Sequence, residues 1–181
     1  AQFDGTGADH ASLFDQMTGD GSYRIAGLVI EQLAPDAFAT AAALPDVLDT
    51  DALVLTAELV DGLDQGPLPA ADLQGSFTVA GGVLRSPNLQ ITGAAARLFG
   101  SVSLDLSGLD LGGGFTMTPL ALPAGNGLLT EAMAQIGITL AGTLLQPVVT
   151  YDAAGMVEAM KASALEQEVE RLEQLRAEDE A

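Results

Sequence analysis

The stretches "GSYRIAGLVI" (residues 21–30) and "GSFTVAGGVL" (residues 75–84) share one pattern. In both, Gly, Ser and an aromatic residue lead through a β-branched residue to Ala-Gly. A pattern that recurs within a chain indicates a structural unit that is built more than once. Each copy predicts a strand that begins at a glycine turn, with its aromatic and β-branched side chains on one face. The Ala-Gly that follows favours a tight turn or a bulge.

Alternating short strands are predicted to continue from residue 73 to residue 152. Segments such as "SVSLDLSGLDL" (101–111) place apolar residues on one face and Ser, Thr or Asp on the other. Gly and Pro punctuate this region at about the 8–12-residue spacing typical of an antiparallel sheet, barrel or sandwich. The last strands fall within residues 136–152, with a break at Pro147. The residues predicted to share the apolar face are Phe77, Val79, Val102, Leu104, Leu106, Phe115 and Met117.

Short helices are predicted near the start of the chain. Residues 9–17 predict one that ends at the "TGDG" of residues 18–21, and Ala-rich residues 35–44, which begin with Pro, predict another. By contrast, residues 52–59 ("ALVLTAEL") carry Leu or Ala at every second position, which predicts a strand. Residues 126–137 are interpreted as containing a helical turn.

The tail, residues 153–181, is free of Pro and rich in Ala, Glu, Leu and Arg, which predicts a helix. An apolar stripe follows it through Leu165, Val169, Leu172 and Leu175. The stripe covers about two heptads, fewer than the three to four that indicate a coiled coil. Packing on the sheet with a solvated overhang is therefore favoured over a coiled-coil seam. The chain divides into a β-rich domain at 1–152 and an acidic C-terminal helix at 153–181.

The composition limits the classes of function. Six Lys and Arg residues against 25 Asp and Glu give a formal net charge of −19, which argues against binding to nucleic acid or to an anionic membrane surface by charge. Hydrophobic residues make up 48% of the chain, so it is expected to fold. The chain has no Cys, which excludes disulfides and thiol catalysis. No apolar run is long enough to span a membrane as a helix.

Motifs that could carry chemistry are weak, and no cofactor or metal site is predicted. The acidic loop at residues 4–9 has Asp15 where an EF-hand requires Glu, so it is interpreted as a polar turn rather than a calcium site. His10 has no Ser or Cys partner in a recognisable motif. The "GLDLGGGF" stretch (108–115) lacks the Lys-Ser/Thr of a phosphate loop and is interpreted as a flexible connection between strands.

Three stretches carry a resemblance to a known family: "LQGSFTVAGGVLRSPNLQITGAAARLFGSVSLDLSGLDL" (73–111), "LAGTLLQPVVTYD" (140–152) and "DGTGADHASLFDQMTGDGSYRIAGLVI" (4–30). Together they resemble the C-terminal region of the AsmA-like family of bacterial envelope proteins, relatives of the TamB-type inter-membrane proteins. The resemblance implies a periplasmic protein that an upstream segment anchors in the inner membrane. It also implies a long antiparallel sheet curled into an open, apolar-lined trough, and a role in phospholipid transport or outer-membrane assembly.

We therefore expect a mainly β fold, in which a curved antiparallel sheet forms an open trough or a partial barrel or sandwich. Short helices lie near its start and a helix lies at its C-terminus. The expected function is non-enzymatic, with phospholipid acyl chains against the seven apolar residues named above and an envelope partner at the C-terminal helix. The alternative is a purely structural module that docks a larger assembly without lipid. A third hypothesis is a hydrolase that uses His10 and nearby acids.

Overall fold

The computed structural model describes residues 1–5, 16–122, 125 and 127–180, and it contains one curved antiparallel sheet. The eight strands are hydrogen-bonded in chain order, so each strand pairs with its neighbours in sequence. Within the described residues, no ladder joins the last strand to the first, and the sheet is open. The strands are β1 (Gln2–Asp4), β2 (Thr18–Ile30), β3 (Leu68–Ala80), β4 (Val83–Gly93), β5 (Ala96–Asp105), β6 (Leu111–Pro119), β7 (Ile136–Thr143) and β8 (Gln146–Asp152).

Three helices accompany the sheet in the described part of the chain. The first two, α1 (Ala37–Ala43) and α2 (Ala52–Asp64), connect β2 to β3, and α3 (Ala154–Asp179) follows β8. The mainly β fold with an early short helix and a C-terminal helix is thus confirmed. The helix predicted at residues 9–17 falls on residues 9–15, which lie outside the described residues.

The prediction of a strand at residues 52–59 is wrong, because this segment belongs to α2. The carboxylate of Asp51 caps the helix by accepting a 2.8 Å hydrogen bond from the Leu53 amide. The leucines at 55, 59 and 63 recur every four residues and are buried together on one helix face. Leu53, which an alternating strand would bury beside Leu55, is 80% exposed. A two-residue spacing contains the four-residue spacing, so the pattern fitted both periods.

The two Gly-Ser-aromatic copies pair with each other across β2 and β3. Gly21 lies opposite Phe77, and Tyr23 lies opposite Gly75, so each aromatic ring covers the glycine of the other copy. A Cβ atom at Gly21 would lie 2.8 Å from the Phe77 ring, and one at Gly75 would lie 2.6 Å from the Tyr23 hydroxyl oxygen. The repeat is therefore a matched pair of neighbouring strands, in which glycine makes room for the aromatic side chain opposite.

The Ala-Gly pairs differ between the copies. In the second copy, Gly81 and Gly82 have φ of 57° and 73° and form the two-residue turn from β3 to β4. In the first copy, Gly27 has a φ of 70° but lies inside the continuous strand β2, and the register with β3 is the same on both sides of it. The predicted turn therefore occurs in the second copy, whereas the first copy continues as a strand.

Three predicted boundaries differ from the structure. The "TGDG" of residues 18–21 lies in β2 rather than at a helix end, and Gly112–Gly114 pair within β6 rather than forming a flexible connection. The break between the last strands falls at residues 144–145, since Pro147 lies in β8. Proline is tolerated there because β8 is an edge strand. The helical turn predicted within 126–137 is present, with the Ala134 amide donating to the Thr130 carbonyl at 3.0 Å.

One face of the sheet, here called the inner face, carries the core. The helices cover the end of this face at which β2 and β8 finish, and they bury Leu98, Met117 and Ile136 there. Farther along the same strands, Val102 and Leu140 also lie on the inner face but are only half-buried. The inner face therefore has a covered half under the helices and an open half beyond them. The other side of the sheet is called the outer face.

Glycine at position 100 is predicted to be required for the packing of β5 on β6. A Cβ atom there would overlap the Gly114 carbonyl oxygen and lie 2.6 Å from the Phe115 ring. We expect Gly100→Ala to lower the free energy of unfolding by about 1–3 kcal/mol, as overpacked sites do. Urea unfolding measures this change.

The matched control is Gly114→Ala, because a Cβ atom at Gly114 would meet nothing within 4 Å. Its free energy of unfolding should stay near that of the parent chain. Equal losses in the two variants would contradict the packing described for Gly100.

Candidate functional site

A cavity of about 590 Å³ lies where the open half of the inner face meets the segment after β2. Its floor is apolar and comes from four neighbouring strands, through Ile91, Leu98, Phe115 and Ile138. These side chains share a face because they are cross-strand partners or lie two residues apart on one strand. Their alternation in the sequence is therefore what creates the floor.

Two walls rise from opposite edges of the sheet. One wall is β8, which contributes Pro147, Val149 and Tyr151, together with Leu140 of β7. The other wall is residues 30–33, which follow β2. The volume falls within the range of about 300–1,000 Å³ that is typical of small-molecule sites. We call this cavity and the open half of the inner face beyond it the trough.

A hydrogen bond holds the two walls together. The Tyr151 hydroxyl donates to the Gln32 backbone carbonyl at 2.7 Å, which joins the strand at one edge of the sheet to the segment leaving β2 near the other edge. Burial, and secondarily the negative charge of Asp64, raise the pKa of Tyr151. The phenol therefore stays protonated at neutral pH and remains a hydrogen-bond donor. This hydrogen bond stabilises the curvature of the sheet at the cavity.

The rim of the cavity is acidic. Glu31 and Asp64 line it and are exposed to solvent. Both reach the same cavity because the segment after β2 is hydrogen-bonded to the end of α2: the Ala34 amide donates to the Leu63 carbonyl at 2.8 Å, and the Leu33 amide donates to the Gly66 carbonyl at 3.0 Å.

Basic side chains of the described strands lie on the outer face. Arg24 forms a two-point ion pair with Asp72 there, with distances of 3.0 and 2.8 Å. This pair lowers the pKa of Asp72, mainly through the hydrogen bond from Arg24. Arg85 and Arg97 pair with outer-face residues of neighbouring strands. The inner face of the described strands thus carries no cationic side chain.

Six of the seven predicted trough residues share the inner face. Phe115 lies in the cavity floor, and Val102 and Leu104 are half-buried on the open half. Met117 also faces inward but is completely buried beneath the helices, so it belongs to the closed core. Leu106 lies beyond the end of β5, in a turn where its amide donates to the Gly82 carbonyl at 2.8 Å.

Phe77 and Val79, the remaining two predicted residues, lie on the inner face away from the cavity, and Val79 is only 3% exposed, so it is buried rather than open to the trough as predicted. Phe77 stacks on Phe3 with ring centroids 5.8 Å apart and contacts Tyr23 at 6.2 Å. Ser86 is buried here, and it donates to the Ser76 carbonyl at 2.7 Å while its oxygen lies 2.9 Å from the Tyr23 hydroxyl. This aromatic cluster, with its satisfied polar group, forms the far end of the open half.

Sequence reasoning did not identify the β8 wall or the acidic rim. The signal for the wall was present, because Ile138 and Leu140 alternate with polar residues, as do Val149 and Tyr151. The signal for Glu31 and Asp64 was absent, since they line one cavity only when α2 folds back on the segment after β2.

Comparisons with protein-family models, curated proteins and solved structures found no significant match. Among the described residues, no helix is long and apolar enough to cross a membrane. The same part of the chain contains no group of three or more His, Cys, Asp or Glu side chains that could hold a metal ion. His10 and the acidic loop at 4–9 fall largely outside the described residues. Function is therefore argued from the trough.

Removing the Tyr151 hydroxyl should loosen the β8 wall. We expect Tyr151→Phe to cost about 0.5–1.5 kcal/mol, the usual value of one hydrogen bond, with the loss concentrated at the edge strand. Amide hydrogen exchange should become faster in β8 than in β4.

Tyr23→Phe is the control, because it removes a phenol hydroxyl from the other end of the inner face. It should leave exchange in β8 unchanged. If Tyr151→Phe also left β8 exchange unchanged, the hydrogen bond to Gln32 would not hold the walls together.

Proposed function

We propose that this chain is the C-terminal part of an AsmA-like envelope protein, in which the trough holds phospholipid acyl chains. The protein supports phospholipid transport between the membranes or outer-membrane assembly, and no covalent chemistry is required. The resemblance of residues 4–30, 73–111 and 140–152 to that family supports a periplasmic location, with an inner-membrane anchor upstream. The observation that carries the proposal is the apolar cavity opening onto a part of the inner face where Val102, Leu104 and Leu140 are only half-buried.

The physical basis is the transfer of methylene groups from water. Each buried methylene contributes about 0.8 kcal/mol, so a chain that enters the cavity gains several kcal/mol from contact with the floor. Leu140 and Val149 extend the apolar surface to the edge of the sheet, and Val149 is still 46% exposed. The polar headgroup can stay in water at this open side, which avoids the cost of burying it.

A charge on the trough wall should abolish lipid retention. We expect Val149→Glu to reduce copurified phospholipid by about tenfold or more, because an acyl chain would have to desolvate the carboxylate. Mass spectrometry of lipid extracted from the protein, isolated from a bacterial periplasm, measures the change.

The matched control is Thr150→Glu, on the same edge strand but on the outer face. It adds the same charge and should retain lipid. Repeated absence of phospholipid from the parent protein, or equal loss in both variants, would contradict the proposal.

A second candidate function, an interaction module, is favoured by α3. Met156, Val157 and Met160 pack on the core, but residues 169–180 are exposed. A helical segment of this length is marginal in water without packing. Leu165 is 56% exposed although it lies next to the packed turns, so its stripe faces away from the domain. The stripe is Leu165, Val169, Leu172 and Leu175.

The chemistry of the stripe favours a basic partner helix. Acidic side chains outnumber basic ones around it, with Glu166 and Glu173 beside the stripe and Arg171 already paired with Glu168 at 2.7 Å. A second copy of α3 would bring like charges together, whereas flanking Lys or Arg would be attracted. We therefore propose that the partner of the stripe is an amphipathic helix whose apolar face is flanked by basic residues.

A designed peptide tests this candidate. We expect a helical peptide with a leucine stripe flanked by Lys to bind the protein, and the same peptide with Glu in place of Lys not to bind. Fluorescence anisotropy measures both. Leu165→Gln with Leu172→Gln should abolish binding, because the apolar seam is lost. Equal binding of both peptides, or self-association of α3 in sedimentation, would contradict it.

A further inference from the structure

The charges at the border of the cavity bear on which ligand the trough takes, and the inference drawn from them rests on the proposed function. Its polar border is formed by the carboxylates of Glu31 and Asp64, the Gln32 carbonyl and the Tyr151 hydroxyl. The carbonyl is already occupied by the Tyr151 hydrogen bond. The groups left to meet a ligand head are therefore two exposed carboxylates.

Among the residues that the structure describes, no basic side chain lines the cavity to offset these two charges. Lys161, the single lysine, lies on α3 and is tied to the Leu48 and Thr50 carbonyls at 3.3 and 2.5 Å. The arginines of the strands lie on the outer face, on the opposite side of the sheet from the cavity. A phosphate or carboxylate at the mouth would meet repulsion without a compensating donor of positive charge.

We propose that the cavity takes an amphiphile whose head carries an ammonium group, with its alkyl chain on the apolar floor and the ammonium at the rim formed by Glu31 and Asp64. Amphiphiles with a net negative head are disfavoured. The floor supplies affinity that does not depend on the head, since Ile91, Phe115 and Ile138 contact only methylenes. The rim makes the affinity depend on the charge of the headgroup, and this difference in affinity is the specificity of the site.

The geometry of the rim suits an ammonium at an open mouth. Both carboxylates are exposed, so a cation can approach them without being buried, and the interaction is that of a solvated ion pair. Such an interaction is weak and is screened by salt, so the preference should be greatest at low ionic strength. It should decline as salt is added while binding of the alkyl chain persists.

In the test, the 181-residue protein is incubated with vesicles that contain equal parts of phosphatidylethanolamine and phosphatidylglycerol. After incubation and repurification, mass spectrometry gives the ratio of the two bound lipids. A parallel arm measures displacement of the uncharged dye N-phenyl-1-naphthylamine by dodecyltrimethylammonium and by dodecanoate, each below its micelle concentration. This arm separates recognition of the ammonium from recognition of a whole phospholipid.

We expect the ethanolamine lipid and the ammonium amphiphile to be preferred by about tenfold at low salt, the effect of two nearby charges of this exposure. The double variant Glu31→Gln with Asp64→Asn should lose the preference but still bind dye. Asp20→Asn with Glu178→Gln removes the same total charge from the outer face and from α3, and it should keep the preference.

The outcomes separate this inference from the function on which it rests. Equal retention of both lipids, or a preference unchanged in the rim variant, would overturn the charge selection while leaving acyl binding intact. Displacement by the ammonium amphiphile without retention of phospholipid would assign the site to simple alkylammonium ligands. Failure of every amphiphile to displace the dye, with no lipid retained, would overturn the proposed function itself.

Discussion

The pairing of the two Gly-Ser-aromatic segments is the constraint on which the rest of the structure depends. Because Gly21 faces Phe77 and Tyr23 faces Gly75, β2 and β3 fit in one register, and a two-residue slip that placed Tyr23 opposite Phe77 would set one aromatic ring against the other. That register decides which side chains point inward on β3. The next strands follow it through their ladders, and Phe115 opposite Gly100 repeats the same arrangement three pairings farther on.

The trough follows from incomplete coverage of the inner face. The three helices close only the end at which β2 and β8 finish, and the hydrogen bond from Tyr151 to Gln32 draws the edges of the sheet together there. Beyond the helices, the same alternation continues, and Val102 and Leu140 are only half-buried there. The arginines of the described strands lie on the outer face, so the cavity has an apolar floor and an acidic border. One pattern of side chains thus produces a core where helices pack on it and a candidate ligand site where they do not.

Much of the sheet was predictable from the sequence, because residues 101–105 and 115–118 alternate apolar and polar side chains, as a strand with one buried face does. Residues 52–59 were not, since leucines at even spacing satisfy a strand and a helix alike, and the cap at Asp51 was the deciding signal. Met117 illustrates a different limit. Its face could be read from the sequence, but its complete burial depends on the helices above it. The placement of Glu31 and Asp64 at one cavity depends wholly on tertiary packing, so no local pattern encodes it.

The central claim is that an alkyl chain lies on the open part of the inner face, against β6, β7 and β8. The most direct measurement is photocrosslinking with a phospholipid that carries a diazirine in its acyl chain, followed by mapping of the adducts by mass spectrometry. The account predicts adducts at Phe115, Leu140 and Val149. Adducts confined to outer-face residues such as Phe99 and Thr116, or to α3, would contradict it.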